Sequence, residues 1–455
     1  MHGRVFGKGR KVRLRLLDIE ACAAALDGVA MEIRDCYSDL VTEVVATSDP
    51  EIAFDGADVA VLLGGFPRLP GMERRDLIAK NVPIMAAHGR ALAKRASPRV
   101  RVLVVANPAC TNCLVAAACA PSMPRGQFSS LARLDQDRLS AMVAEKVSLT
   151  MSGDALERQQ QPQTPRALPA QAEVRGVYLW GNHSPNMWPD VSHAEAKING
   201  RWVHVEDVLR HDSEEGHAGE GSERDAALVA TERLEAWRKW VSATLVPAVR
   251  GRGTKVIEAR GKSSALSAAN AIVNQLRDWL SPLEGGNEGE EDQYNDTGGE
   301  GVNEDGAGGE RVNPFEISED LTDGYRSRAK EDQHAGTPRL DSGRVSGDLR
   351  GRGELMRQRR KREGQDQEEG QEWTTAGAAV SMGVFSNGNP YGVPDDLVFS
   401  FPVKSGEGRH RIMGGFTPDG DLLQASTKEL LEEREEAFHV LRESGLVLLP
   451  APPEW

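Results

Sequence analysis

Val59-Ala60-Val61-Leu62-Leu63, followed at once by Gly64-Gly65, is the stretch on which the fold turns. Five apolar residues without alternation, entered after Asp58 and left through two glycines, fit a strand buried on both faces. Such strands belong to parallel sheets covered by helices. Upstream, Val12-Arg13-Leu14-Arg15-Leu16-Leu17-Asp18 reads as a strand that closes on a carboxylate. Downstream, Val100 to Val105 is another, running into Ala106-Asn107-Pro108-Ala109. Between the first and second, Leu26 to Tyr37 places apolar residues at 26, 29, 30 and 33, one face of a helix. Strands alternating with helices predict an α/β chain that binds ligands at the carboxyl ends of its strands.

The later segments extend this pattern. Residues 225–250 and 263–282 carry helical spacing, the first with Trp237 and Trp240. Ser381 to Ser386 reads as a strand entering a tight hairpin at Asn387-Gly388, with Leu397 to Val403 as its partner. Thr427 to Glu443 closes the chain as a helix. The 455 residues have room for two to three domains, and the net charge of −14 argues against nucleic acid as the main partner. No apolar run reaches the roughly 18 residues that a membrane span needs, so no membrane span is expected. The sequence as given shows no signal peptide, and an incomplete start would have taken any targeting segment with it. Cysteines 22, 36, 110, 113 and 119 form no disulfide framework and suit a reducing compartment. Cys110 and Cys113 have redox spacing, but lack a second pair or a nearby histidine; two buried thiols are the expectation.

The chemistry lies in two segments. Leu134-Asp135-Gln136-Asp137-Arg138 and Trp180-Gly181-Asn182-His183-Ser184 supply a carboxylate, a guanidinium and an imidazole. Hydride transfer from a 2-hydroxy acid needs these three: a neutral imidazole to take the hydroxyl proton, a carboxylate to hold its tautomer, and a planar fork for the substrate carboxylate. Taken alone, Asp135 and Arg138 fit an i, i+3 surface ion pair, and His183 fits a loop histidine. Asp18, at a strand's carboxyl end, is suited to accept hydrogen bonds from an adenosine ribose and to repel a 2′-phosphate.

With Leu17-Asp18-Ile19, Leu26-Asp27-Gly28-Val29, Pro67-Arg68, Gly71-Met72-Glu73-Arg74, Asn107-Pro108-Ala109, Thr111-Asn112-Cys113, Arg133-Leu134-Asp135 and Gly392-Val393-Pro394-Asp395-Asp396 added, the chain resembles a known family. It is similar to malate dehydrogenases of the cytosolic, NAD-dependent type, within the lactate/malate dehydrogenase superfamily. The resemblance runs from about Val5 to Pro282 and from about Ala379 to Gly445.

It implies the following roles. His183 accepts the proton and Asp135 orients it. Arg138 clamps one carboxylate of malate or oxaloacetate, Arg68 recognises the second, and Arg74 polarises the carbonyl. Asn107 touches both substrate and nicotinamide, and Ser263 lines the substrate pocket. Asp18, Asn81, His88 and Val105 contact NAD. It also implies a cytoplasmic homodimer joined through the helix at Leu26 to Tyr37. Independently of the family, a buried dicarboxylate needs two cations, which favours a dicarboxylic acid over lactate once Arg68 is present.

The resemblance implies a truncated Rossmann-type NAD-binding domain over residues 1–130. An α+β catalytic domain spans 131–282 and 379–455, interrupted by an insertion at 283–378. Residues 1–11 contain no strand and no G-x-G-x-x-G turn, so the first βα unit is expected to be missing and NAD binding weak. His88, Ala132, Leu139 and Cys110 depart from the family's usual residues without removing a catalytic group. The insertion is Gly- and Glu-rich at its start and carries Arg357-Gln358-Arg359-Arg360-Lys361-Arg362 near its end; its composition predicts disorder. A shorter Gln/Pro-rich loop is expected from Gly153 to Ala172. Two alternatives stand beside malate dehydrogenase: a non-catalytic scaffold relative, and a dehydrogenase of another 2-hydroxy acid.

Overall fold

In the computed structural model the described residues are 3–67, 71–151, 172–211, 223–281 and 379–446. Arg68, nearly all of the 153–172 loop and the 283–378 insertion lie outside them. The chain divides into two compact units, residues 1–284 with 374–455, and residues 285–373; only the first contains described residues.

Five strands open the chain: β1 (Val12–Leu17), β2 (Val41–Thr47), β3 (Val59–Leu62), β4 (Arg101–Val104) and β5 (Phe128–Ser130). Short antiparallel strands follow: β6 (Val174–Arg175), β7 (Tyr178–Trp180), β8 (Trp188–Asp190), β9 (Glu195–Ile198) and β10 (Arg201–His204). Last come β11 (Val380–Phe385), β12 (Val398–Gly406) and β13 (Arg409–Ile412). β1 and β2 pair in parallel as a sheet of two, and β3, β4 and β5 are parallel neighbours in the order β13-β12-β11-β5-β4-β3. Among the described residues β1 and β3 do not pair, so the parallel array is divided between them. The expected α/β architecture is present, and all the strands read from the apolar runs exist.

The helices follow from caps and stripes. α1 (Ala23–Asp35) covers the stretch read from Leu26, yet only Ala30 is buried and Met31 stays exposed. α2 (Pro50–Phe54) starts with proline in its first turn, and the Asp49 side chain accepts from Glu51 N at 2.8 Å. α3 (Arg74–Arg95) has a capping box of Glu73 and Asp76. α4 (Ala109–Ala118) leaves the turn at Asn107-Pro108, and α5 (Arg133–Met151) carries the Asp135 segment. The C-terminal helix, Gly420–Glu443, begins where Asp419 accepts from Asp421 N and Leu422 N, both at 3.1 Å.

Two apolar clusters result. In one, α3, α4 and the C-terminal helix cover the six-stranded sheet through Val82, Met85, Leu103, Val115, Phe399 and Leu441. In the other, Leu139, Val143 and Val147 of α5 meet Trp237 and Val249 from the helices at Glu223–Trp240 and Val246–Arg260, and Leu245 between them. These two are joined by a π-helical turn at Val241–Leu245, where the sequence predicted one continuous helix.

One expectation is corrected. The tight hairpin at Asn387-Gly388 is a loop spanning 386–397, because Phe385 pairs directly with Val398. Asn389 organises that loop, donating to the Ser386 and Val393 carbonyls at 2.6 Å each and accepting from Tyr391 N at 2.9 Å. Gly388 still holds a left-handed turn, with φ of 73°.

Candidate active site

α5 and the loop after β7 bring the two chemical segments together. His183 Nδ1 is hydrogen-bonded to Asp135 Oδ2, although 48 residues separate them. Asp135 is 4% exposed, while His183 is half-buried with Nε2 left without a partner among the described residues. Asp135 Oδ1 accepts from Arg138 Nη1 at 2.9 Å, and Arg138 Nη2 donates to Ser264 Oγ at 3.1 Å. Burial pushes the Asp135 carboxyl up, but His183 and Arg138 outweigh it and hold it below its ordinary value. The Asp135 charge lifts His183 above the usual imidazole value, against burial and the charges of Arg138 and Arg74.

Asp135, Asn182 and His183 line a pocket together with Ser130, Leu131 and Trp180. Its lining mixes these polar groups with apolar ones such as Leu179 and Met187, a surface suited to orienting a small polar ligand. Gly181 makes the approach possible. It has φ of 91°, and a β-carbon there would stand 2.1 Å from Ser426 Oγ. Its backbone exchanges hydrogen bonds with Ser400, at 3.1 and 3.0 Å.

The other sequence-selected residues separate into groups. Asp18 stands at the carboxyl end of β1, half-buried, and its side chain accepts from Ile19 N at 2.8 Å. Val105 follows β4 and donates its N–H to Leu62 O, while Asn107 exposes its side chain at the next turn. Asn81 is fully buried and committed to backbone: it accepts from Phe66 N at 2.7 Å and donates to Leu77 O at 3.1 Å. His88 packs edge-on against Phe54, and burial drops its pKa to about 4. Ser263 is exposed, and its neighbour Ser264 is the serine that reaches Arg138. Arg68 lies outside the described residues.

Cys110 and Cys113 are buried free thiols on α4; burial raises Cys110 to about 12 and lifts Cys113 well above its ordinary value. That agrees with buried thiols and not with a redox pair.

Sequence reasoning missed the carboxylates of the C-terminal helix. Arg74 Nε donates to Glu433, which also accepts from Thr111 Oγ1 and from Asn182 Nδ2, the last at 3.0 Å. Glu429 accepts from Ser184 Oγ at 2.6 Å and Asn186 Nδ2 at 3.2 Å. The carboxyl ends of β1 and β4 offer a ribose acceptor and an exposed amide, which fit a dinucleotide. Among the described residues no G-x-G-x-x-G turn is available for its pyrophosphate.

Comparison with known proteins gives the family. The lactate/malate dehydrogenase NAD-binding domain matches residues 4–129, and the alpha/beta C-terminal domain of the same family matches residues 216–300. Cytoplasmic malate dehydrogenase of Felis catus is 33% identical over 444 residues, covering 97% of this chain and 92% of the cat protein. Malate dehydrogenase of Rubrobacter xylanophilus is 39% identical over 278 residues, 61% of this chain and 70% of its own. Among solved structures, malate dehydrogenase from Naegleria fowleri is 27% identical with a TM-score of 0.60, covering 97% of this chain and 92% of its own. Trichomonas vaginalis lactate dehydrogenase in complex with NADH and oxamate gives 25%, 0.60, 97% and 93%. A histidine held at a pocket wall by a buried aspartate, whose other oxygen accepts from an arginine, thus occurs in a chain that belongs to the lactate/malate dehydrogenase family, whose N-terminal domain binds NAD.

Proposed function

We propose that the protein interconverts (S)-malate and oxaloacetate with NAD⁺ and NADH. The observation that carries this is the hydrogen-bonded chain His183–Asp135–Arg138, with Asp135 and His183 at the pocket wall. NAD, when bound, supplies the hydride acceptor. Asp135 is ionised, so His183 Nδ1 carries the proton and Nε2 is the free base that faces a substrate hydroxyl. As that hydroxyl gives up its proton to Nε2, the imidazolium is stabilised by Asp135. Arg138, steadied by Ser264, offers a planar fork to one substrate carboxylate. Arg74, whose charge is felt at His183, polarises the carbonyl oxygen. Arg68 would supply the cation for the second carboxylate, which is the sequence argument for a diacid. Asp18, Asn81, His88, Val105 and Asn107 remain the residues assigned to the dinucleotide side, and Ser263 to the substrate side.

The same reading divides the chain by role, with residues 1–130 for dinucleotide and 131–282 with 379–455 for substrate. A homodimer through α1 is supported by its apolar face, where Leu26, Val29 and Ile33 are only half-buried. The cytoplasm is supported by the names of the cat and related proteins. Among the described residues no helix is long and apolar enough to cross a membrane.

The test is steady-state NADH oxidation with oxaloacetate, pyruvate and hydroxypyruvate in parallel. Oxaloacetate should have the highest kcat/KM. A higher value with pyruvate would favour a lactate-type enzyme, the reading that the Trichomonas vaginalis likeness keeps open. No turnover with any of them would favour a non-catalytic relative.

A further inference from the structure

The function read above uses Arg74 without accounting for what holds it. Arg74 opens α3, and its Nε is bonded to Glu433 Oε1 on the C-terminal helix. Glu433 is 5% exposed and takes two further donors, Thr111 Oγ1 on Oε2 and Asn182 Nδ2 on Oε1 at 3.0 Å. Three segments therefore converge on one buried carboxylate: the start of α3, the start of α4, and the residue just before His183. Held on three sides by packed elements, Glu433 is not free to follow a moving side chain. Its contact with Arg74 runs through Nε and leaves the terminal nitrogens uncommitted to it. Nη2 is buried without a hydrogen-bond partner among the described residues, 3.8 Å from Glu429 Oε1. A buried guanidinium donor left over in this way is suited to an acceptor that arrives with a ligand.

We propose that Glu433 is a positioning residue for the reaction: it anchors Arg74 by Nε, so that the terminal nitrogens are presented to the substrate's carbonyl oxygen. Through Asn182 it also ties that arginine to the backbone carrying His183. The inference rests on the assignment of Arg74 as the group that polarises the carbonyl. Negative charge grows on that oxygen as the hydride transfers, so a misaimed Arg74 is felt in the transition state more than in substrate binding. A carboxylate that only fastened the helix would act on stability, or on every kinetic constant alike.

The experiment compares the full chain with Glu433→Gln, Arg74→Lys and the double variant. Glutamine keeps the length and an acceptor oxygen but loses the charge. In Glu433→Gln, kcat for oxaloacetate reduction should fall about tenfold while KM stays within about twofold. The double variant should be no slower than Arg74→Lys, since the anchor has nothing left to aim. Losses that multiply, or a loss confined to KM, would overturn the proposal. A second arm needs no turnover: phenylglyoxal modification of Arg74, followed by peptide mass spectrometry, with Arg138 as internal reference. Freed from its carboxylate, Arg74 should react about threefold faster in Glu433→Gln while Arg138 is unchanged; equal rates would overturn the anchor. If Glu433→Gln fails to fold, Thr111→Val loosens the same carboxylate with its charge intact, and Arg74 reactivity should rise there too. If the unaltered protein reduces no oxaloacetate, the functional reading fails, while the modification rates still decide whether Glu433 holds Arg74.

Discussion

Arg138 Nη1 donates to Asp135 Oδ1 at 2.9 Å one helical turn away, so the carboxylate that orients His183 is shared with a guanidinium. The i, i+3 ion pair and the catalytic pair are therefore not rival readings of the Asp135 segment. The same carboxylate serves both, one oxygen to each cation. With both side chains under 10% exposed, this pair is far from the solvated kind that contributes little.

Asp135→Asn should be costly on both counts. It removes the charge that raises His183 and leaves Arg138 without a counter-ion in a nearly closed site. We expect kcat to fall by about 10²- to 10⁴-fold, the usual range when a general base loses its orienting carboxylate. Melting should drop as well, because an uncompensated buried charge typically costs about 3–5 kcal/mol. Steady-state kinetics and calorimetry on one preparation measure the two effects. A variant with unaltered kcat would remove Asp135 from the mechanism.

The pH dependence has a definite sign. Malate oxidation needs neutral His183, so its kcat/KM should rise with pH through a midpoint above the ordinary imidazole value of about 6.5. Oxaloacetate reduction needs the protonated form and should fall through the same midpoint. Stability follows linkage. The contribution of His183, whose folded value is raised, is complete below about pH 6.5 and lost as pH rises through the folded value. The contribution of Asp135, whose folded value is lowered, is present above about pH 3.9 and lost as pH falls through the folded value. A kcat/KM midpoint for malate at or below 6.5 would contradict the assigned pair.

Much of this was legible in the sequence for physical reasons. Parallel strands packed into a core appear as unbroken apolar runs, so Val59 to Leu62 and Arg101 to Val104 could be read directly. Among the described residues β3 is nevertheless the edge of its sheet, and Val59 and Val61 are only half-buried, not buried on both faces. The His183–Asp135 pair was legible because other segments of the chain agreed with it, although each motif taken alone also fits an ordinary ion pair or loop histidine. Glu433 was not, because the Glu429–Glu436 stretch is so acidic that it reads as a solvated face. The signal was present in the period: Ser426, Leu430, Glu433, Ala437 and Leu441 form one buried stripe, and a carboxylate in such a stripe needs a buried cation. The choice between Ser263 and Ser264 depends on which way the chain turns before the Leu266–Leu280 helix, and residue spacing carries no such information. The loop 386–397 was misread because Asn-Gly marks a turn without fixing how much chain lies beyond it.

Ser264→Ala should weaken substrate binding without abolishing catalysis. Arg138 would keep Asp135 but lose the hydroxyl that steadies Nη2. A single hydrogen bond to a charged group is worth about 1.5–3 kcal/mol, so KM for oxaloacetate should rise by about tenfold or more, with kcat less affected. Ser263→Ala, altering an exposed side chain one residue away, should have a smaller effect in the same assay. The reverse ranking would return the pocket assignment to Ser263.

Alkylation offers a check on the thiols. Cys36 is exposed, whereas Cys110 and Cys113 are buried with their thiols pushed far from ionisation. Iodoacetamide on native protein at pH 8 should therefore label Cys36 well before either residue of the α4 pair, with all five cysteines labelled after denaturation. Early labelling of Cys110 would mean that the pocket wall opens in solution.

Gly181→Ala tests the backbone that aims His183. Position 181 has φ of 91°, where a side chain is strained by about 1–3 kcal/mol, and its β-carbon would collide with Ser426 Oγ. The collision is with the C-terminal helix, whose Ser426 also donates to Asn186 O at 3.1 Å and whose Glu429 holds Ser184. Relief must therefore displace either the helix or the loop that carries His183. The melting temperature and kcat should fall together. Shortening the opposing residue, in Gly181→Ala with Ser426→Gly, should recover part of the stability by removing the collision while the backbone strain remains. Full recovery would mean that the positive φ costs nothing at this position, and no recovery would place the strain wholly in the backbone.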